Sequence, residues 1–220
     1  MKNIWKLSVL SLALTATSMI LSDSAQAATL FRSILSGDQE VLTNPDGTFT
    51  SIDTGSDAIG LAELKLNEAE DALSYTIDVS GLDFSLLSTL DPTTSLDSAA
   101  SDVVSQIHFH NAPVGANGPI VFSIASLVGT GFDDEDDLSI DIDPDTGDTT
   151  ITGVWESTDI RPLTPEFVSE LEAGNLYFNI HSVGFPGGEI RGQIEKVPEP
   201  TAILSLALIG GFGFLRKKRC

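Results

Sequence analysis

Apolar and β-branched residues occur through the middle of the chain in short runs, which Gly, Pro, Asn and Asp residues separate. This pattern is typical of an all-β domain, because such runs form strands and the separating residues form turns. Eight strands spaced in this way predict a β-sandwich or a β-barrel. The predicted strands are residues 29–35, 58–66, 73–79, 104–109, 120–124, 149–155, 176–183 and 189–194.

Two segments rich in Pro, Asp and Gly are expected to close hairpins. Residues 44–47 read Asn-Pro-Asp-Gly, and residues 143–147 read Asp-Pro-Asp-Thr-Gly. Proline presets φ for a turn, and glycine accepts the positive φ that tight turns need. Residues 80–102 and 133–137 are acidic and are predicted to be loops.

One helix is predicted within this framework, at residues 165–173. Thr164 can cap its first turn, Pro165 suits the first helical position, and Gly174 can end the helix in the left-handed region. Residues three and four apart share one face of a helix. The expected buried side consists of Phe167, Val168 and Leu171.

The first 27 residues have the three parts of a secretory signal peptide. Lys2 and Lys6 precede an apolar run at residues 7–21, and Ala25-Gln26-Ala27 follows it. Small residues in this spacing are cut by signal peptidase, so cleavage is expected after Ala27. An uncleaved membrane anchor is the less favoured alternative, because the apolar run is short and a cleavage motif follows it.

The last 24 residues resemble the PEP-CTERM sorting signal of Gram-negative bacteria. Val197-Pro198-Glu199-Pro200 is followed by an apolar stretch at residues 201–215 and a basic cluster at residues 216–219. The resemblance implies that residues 197–220 enter the inner membrane transiently and that an exosortase-type enzyme removes them. Delivery to the cell surface or extracellular matrix would follow. Cys220, after the basic cluster, departs from this pattern.

Charge is distributed very unevenly along the chain. Between Ala28 and Pro200 lie 31 of the 32 acidic residues but only five of the 11 basic residues. Such a surface repels nucleic acid and anionic lipid, since both bind proteins through Lys and Arg. It would instead attract cations. The only cysteine, Cys220, is the last residue, so no disulfide can form within the chain.

Two segments, residues 107–121 and 163–194, resemble the CHRD domain, a chordin-type module found in exported proteins. They include Ile107-His108-Phe109-His110-Asn111 and Glu189-Ile190-Arg191-Gly192-Gln193. The resemblance covers residues 28–196 and implies an antiparallel β-sandwich of immunoglobulin-like or superoxide-dismutase-like outline, with one short helix. It implies no reaction.

The chain offers no serine in a nucleophile elbow, no cysteine within the domain and no phosphate-binding glycine loop. The function expected first is therefore a non-enzymatic surface or extracellular-matrix domain. Its partner would be an extracellular protein or polysaccharide, and its role adhesion, protein interaction or envelope architecture.

The alternative is a copper- or zinc-binding module. His108 and His110 are two residues apart on a predicted strand and therefore share a face, and His181 lies on another strand that can neighbour it. Three converging imidazoles suit Cu(II) or Zn(II). The competing interpretation is that each imidazole hydrogen-bonds a nearby loop, such as the glycine-rich turn at residues 114–118.

The acidic run at residues 141–148 resembles a calcium loop, because alternate carboxylates can converge on one cation. The EF-hand frame fails, since its glycine is displaced by one position and Thr152 stands where the bidentate glutamate belongs. A hairpin turn is the favoured interpretation. Weak calcium binding by residues 133–137 together with Asp141, Asp143 and Asp145 is the alternative.

Arg191 lies beside Glu189 in an alternating apolar strand. A buried arginine of this kind either binds a ligand or stabilises its surroundings. We expect the second role, as an ion pair or as hydrogen bonds to loop carbonyl groups.

Overall fold

The computed structural model describes residues 28–198 apart from 90, 92–94, 98, 129, 130 and 135. The predicted signal peptidase site at Ala25 and Ala27 lies outside the described residues, and so does the predicted tail from Glu199 onward. In the part of the chain that is described, no helix is long and apolar enough to cross a membrane.

Twelve strands make up the described fold. Ten form one antiparallel sheet in the order β7-β6-β10-β11-β1-β4-β5-β9-β8, with β12 paired to β1, and β2 pairs with β3 in a separate hairpin. The large sheet curls around a shared core, so the predicted all-β, sandwich-like class is confirmed. The strands are β1 (Thr29–Ser36), β2 (Val41–Thr43), β3 (Phe49–Ser51), β4 (Ile59–Leu66), β5 (Ala72–Ser80), β6 (Val104–Asn111), β7 (Ile120–Ser126), β8 (Ser139–Ile142), β9 (Thr149–Glu156), β10 (Leu176–Ser182), β11 (Ile190–Gln193) and β12 (Glu195–Lys196).

All eight predicted strands are present, as β1, β4, β5, β6, β7, β9, β10 and β11, with ends within two residues of the prediction. The prediction missed β2, β3, β8 and β12. These strands have two to four residues and mostly exposed or partly exposed side chains. They therefore lack the buried alternation that marks a strand in a sequence.

Both predicted hairpin turns are confirmed. Residues 44–47 connect β2 to β3, and residues 143–147 connect β8 to β9. Gly47 and Gly147 have φ values of +82° and +79°, which glycine adopts readily. The described part of the loop at residues 80–102 contains one short 3-10 turn, Leu87–Thr89.

The predicted helix is present as α1 (Pro165–Glu172), one residue shorter than expected. Thr164 Oγ1 accepts a hydrogen bond from the backbone N–H of Phe167, and Gly174 leaves the helix at φ +72°. Val168 and Leu171 are buried, whereas Phe167 is only partly buried and packs against Trp155.

An aromatic cluster lies at the centre of the core, around Phe109 of β6. The ring centroid of Phe109 lies 4.3 Å from that of Phe178 on β10 and 5.3 Å from that of Trp155 on β9. Successive side chains of a strand point to opposite faces of its sheet. Because Phe109 and Phe178 point into the core, the residues before and after them in the sequence point to the other face of the sheet, where a polar cluster lies.

Candidate metal centre

The register of β6 and β10 brings the three histidines together. His108 and His110 alternate with the core residues Ile107 and Phe109, so both histidines point away from the hydrophobic core. Because His108 lies opposite Asn179, His181 is its diagonal neighbour on β10. Diagonal neighbours on one face are within reach of long side chains.

The three imidazole rings form a compact cluster. The ring centroid of His108 lies 5.6 Å from that of His110 and 5.1 Å from that of His181. The centroids of His110 and His181 are 6.1 Å apart. One ring nitrogen from each residue lies within 4.8 Å of the others. His108, His110 and His181 are 0%, 8% and 7% exposed. The cluster is therefore shielded by protein yet close to the surface.

Two of the rings are oriented by loop carbonyl groups. His110 Nδ1 lies 3.0 Å from the carbonyl oxygen of Gly118, and His181 Nδ1 lies 3.0 Å from that of Pro186. A carbonyl oxygen only accepts, so each Nδ1 carries the proton and each Nε2 carries a lone pair. Both Nε2 atoms are buried and have no hydrogen-bond partner among the described residues.

His108 differs from the other two, because neither of its ring nitrogens has a hydrogen-bond partner among the described residues. It is also the most deeply buried of the three. A buried polar group without a partner costs about 1–3 kcal/mol, and most buried polar groups in proteins avoid this cost. The site thus contains buried ring nitrogens that make no hydrogen bond to the described protein groups.

The surroundings keep all three imidazoles neutral. Burial lowers the pKa of His108 from 6.5 to about 2, with smaller contributions from His181, His110 and Arg161. Burial lowers the pKa of His110 to about 4, although the bond to Gly118 partly opposes it. Burial also lowers the pKa of His181. Neutral imidazole is the form that binds metal ions.

A stack of side chains supports His110. The ring of Tyr177 lies parallel to that of His110, with centroids 4.9 Å apart and planes inclined by 13°. Arg191 covers the Tyr177 ring and donates hydrogen bonds to Ala116 O at 2.8 Å and Asn117 Oδ1 at 2.9 Å. The predicted structural role of Arg191, hydrogen bonding to a loop carbonyl group, is confirmed.

A buried carboxyl group lies behind this stack. Glu40 is 2% exposed, and its Oε2 atom lies 3.5 Å from Asn179 Nδ2. Burial raises the pKa of Glu40 to about 7, against the opposing effect of the positive Arg191. Tyr177, Asn179 and His181 are every second residue along β10 and therefore share one face with the histidine cluster. The alternation of a strand could thus have identified Tyr177 and Asn179 in the sequence as neighbours of His181. Glu40 precedes a short strand and carries no such signal.

Glycine is required where the loops approach the strands. A Cβ atom on Gly118 would lie 1.8 Å from the carbonyl oxygen of Asn111. Gly188 has φ +125°, and a Cβ atom there would lie 2.5 Å from the amide of Asn179 and 2.6 Å from Glu40 Oε1. These loops can therefore contact β6 and β10 closely only because glycine has no side chain.

The two interpretations of the histidines turn out to be compatible. His110 does bond the turn at residues 114–118, as the structural interpretation predicted, and all three rings converge, as the metal interpretation requires. Histidines that ligate metals usually donate their other N–H group to a carbonyl or carboxylate oxygen, which fixes the ring. The loop bonds of His110 and His181 have this form.

The less favoured alternative, weak calcium binding by residues 133–137 with Asp141, Asp143 and Asp145, corresponds to no single group of carboxylates among the described residues. Asp143 Oδ1 instead accepts bonds from the N–H groups of residues 145 and 146 in the β8–β9 turn, as the hairpin interpretation expected. Within the described residues, those three aspartates join no group of potential cation ligands. Asp134 and Asp136 do, but their third member is Asp159.

Comparison with known protein families agrees with the sequence resemblance to the CHRD domain. No curated protein and no solved structure gave a significant match to the chain. The sequence profile of the CHRD domain matches residues 31–194, which contain the three histidines, Arg191 and the large sheet apart from Thr29, Leu30 and β12. The chain therefore belongs to the CHRD domain family.

Proposed function

We propose that this CHRD domain is an extracellular module that binds one Zn(II) or Cu(II) ion through His108, His110 and His181. The carrying observation is His108, which is fully buried beside the other two imidazoles and has no hydrogen-bond partner for either ring nitrogen among the described residues. A cation held by the three rings would bind one nitrogen of each ring and would relieve that part of the cost of leaving these nitrogens unpaired.

The donor set favours these two metals. Imidazole nitrogen suits zinc and copper, whereas calcium and magnesium prefer oxygen. Three histidines also leave a coordination position open for water or a small ligand. The acidic surface would raise the local concentration of cations around the domain, since only five basic residues oppose 31 acidic ones between Ala28 and Pro200.

The test is the metal content of the full chain, purified without an added histidine tag and dialysed against Zn(II) or Cu(II). We expect about one tightly held ion per chain by mass spectrometry, and its loss when all three histidines are changed to alanine. Asp145→Asn is the matched control, because it removes an exposed charge and leaves the histidines unchanged. Full metal content in the triple variant would overturn the proposal.

The proposed role is binding and not catalysis. CHRD domains are typically extracellular interaction modules, and this supports a surface function. Exposed apolar side chains on β1 and β4, namely Leu30, Ile34 and Ile59, support contact with an extracellular protein or polysaccharide. Turnover of any substrate that disappears in the variant His108→Ala would contradict a non-enzymatic role.

Export is part of the same proposal. Residues 1–27 would direct secretion through signal peptidase, and an exosortase-type enzyme would recognise residues 197–220. Deleting residues 197–220 should then prevent surface delivery in the native host, measured by protease treatment of intact cells. Unchanged surface exposure after the deletion would contradict the sorting role of the tail.

A further inference from the structure

A second group of potential ligands lies on a different part of the fold, where the segment after β7 approaches the end of β9. One carboxylate oxygen from each of Asp134, Asp136 and Asp159 lies within 4.8 Å of the others. Asp134 is buried, Asp136 is exposed and Asp159 is partly exposed. We call these three residues the acidic site.

Asp134 carries the observation that points to a ligand. It is 2% exposed, and its Oδ2 atom accepts a hydrogen bond from the hydroxyl group of Tyr75. Its Oδ1 atom is buried and accepts no hydrogen bond from a described donor group, and the carboxyl group of Asp137 lies within hydrogen-bonding reach of the Asp134 side chain. An unpaired buried carboxylate oxygen beside other carboxylates is unfavourable unless a proton or a cation neutralises it.

No basic side chain among the described residues neutralises the acidic site. Arg161 forms an ion pair with Asp133 Oδ2 at 3.4 Å and donates a hydrogen bond to the carbonyl oxygen of Ile120. The other ion pair found in the described part of the chain joins Lys196 to Glu172. Burial and the neighbouring carboxylates Asp137 and Asp159 raise the pKa of Asp134 to about 7.

Two further hydrogen bonds hold Asp159 and the neighbouring Asp137 in place. Asp159 Oδ2 accepts a hydrogen bond from the backbone N–H of Glu156 at the end of β9. Asp137 Oδ1 accepts one from the backbone N–H of Val154 at 2.8 Å. Asp159 and the segment around Asp134 are thereby both attached to β9. A cation between them would connect the loop after β7 to the turn after β9.

We infer that Asp134, Asp136 and Asp159 form a calcium site that is independent of the three histidines. Calcium takes six to eight oxygen ligands, so three carboxylates would be completed by backbone oxygen atoms or water. Extracellular calcium modules bind in the range of about 10⁻⁴ to 10⁻³ M, and an exported domain meets calcium at such concentrations. The ion would hold the segment at residues 131–138 against β9.

The experiment is a titration of the full chain with CaCl₂ by calorimetry, after removal of metals by a chelating resin. A parallel titration with Tb³⁺ would follow luminescence sensitised by Tyr75 and Trp155. We expect saturable binding of about one ion, and an affinity about tenfold lower in Asp136→Asn. Asp136 is exposed and makes no other described bond, so this variant should fold normally.

Asp145→Asn is the matched control, since it removes one exposed negative charge from the β8–β9 turn, at the opposite end of β9 from the acidic site. It should leave the calcium affinity unchanged. Absence of saturable calcium binding, or equal weakening by both substitutions, would overturn the inference. In the first case a shared proton on the Asp134 carboxyl group would account for the cluster, and the loss of that proton near pH 7 would be observed without calcium.

Discussion

The guanidinium carbon of Arg191 lies 3.5 Å from the centre of the Tyr177 ring. The same guanidinium group holds the loop at Ala116 and Asn117, and Tyr177 stacks on His110. One side chain of β11 thus positions both the loop that orients His110 and the ring that covers it. The proposed metal centre would therefore rely on a residue that is not expected to touch the ion.

Replacing Arg191 with lysine should weaken both folding and metal binding. Lysine cannot bond Ala116 O and Asn117 Oδ1 with one planar group, and it stacks less well on an aromatic ring. We expect the free energy of unfolding to fall by about 2 kcal/mol and the Zn(II) affinity by about tenfold. Urea unfolding and zinc titration would measure these changes.

Arg32→Lys is the control for this substitution, because Arg32 is exposed on β1. It should change neither quantity. A loss of stability in Arg191→Lys with unchanged zinc affinity would show that Arg191 stabilises the fold without positioning His110.

Local patterns explain which parts of this molecule could be predicted from sequence. In β5 buried side chains alternate with exposed ones, and in β6 most side chains are buried. The His-x-His spacing on β6 places two imidazoles on one face of the strand whatever the fold. The helix could be predicted because Thr164 and Gly174 mark its two ends.

Contacts between distant segments explain what could not be predicted. The acidic site needs Asp159 beside Asp134, and that proximity depends on how the loop after β7 folds onto β9. Glu40 reaches Asn179 across 139 positions of sequence and lies in no regular strand. Charge and spacing alone do not distinguish the aspartates of the β8–β9 turn from those near Asp134, because both segments are rich in Asp.

The buried histidine should make metal-free protein sensitive to acid. His108 takes up a proton near pH 6.5 in the unfolded chain but only near pH 2 in the folded one. Below pH 6.5 the unfolded state therefore binds more protons, and stability falls with pH. Relative to His108→Gln, the wild type should lose up to about 1.4 kcal/mol per pH unit.

The difference between the two proteins is the quantity to measure, by urea unfolding between pH 7 and pH 4 in EDTA. Raised pKa values at Glu40 and Asp134 act in the opposite direction on the wild-type curve and cancel in the difference. Parallel stability curves would contradict the assignment of acid sensitivity to His108.

Glu40 should have the opposite effect on pH dependence. Its pKa is raised from 4.5 to about 7 in the folded protein, so the folded state binds more protons in that range and stability falls as pH rises. The variant Glu40→Gln should therefore gain up to roughly 3 kcal/mol relative to wild type between pH 4.5 and pH 7. Thermal or urea unfolding in EDTA would measure it. An equal gain in Glu63→Gln, at an exposed position on β4, would contradict the prediction.

A side chain at Gly118 should lower the stability of the fold. In Gly118→Ala the new Cβ atom would lie 1.8 Å from the carbonyl oxygen of Asn111, so the loop must move away from β6. Because the Gly118 carbonyl group orients His110, we expect a loss of roughly 3 kcal/mol in stability together with weaker zinc binding. Urea unfolding and zinc titration would measure both.

Gly187→Ala is the matched control for this last substitution, because a Cβ atom at Gly187 meets nothing within 4 Å. It should leave stability and zinc affinity close to those of the wild type. If Gly118→Ala folds with wild-type zinc affinity, the carbonyl bond does not set the orientation of His110, and the stacked Tyr177 ring alone must hold it. If both quantities fall together, the loop and the metal centre form one structural unit.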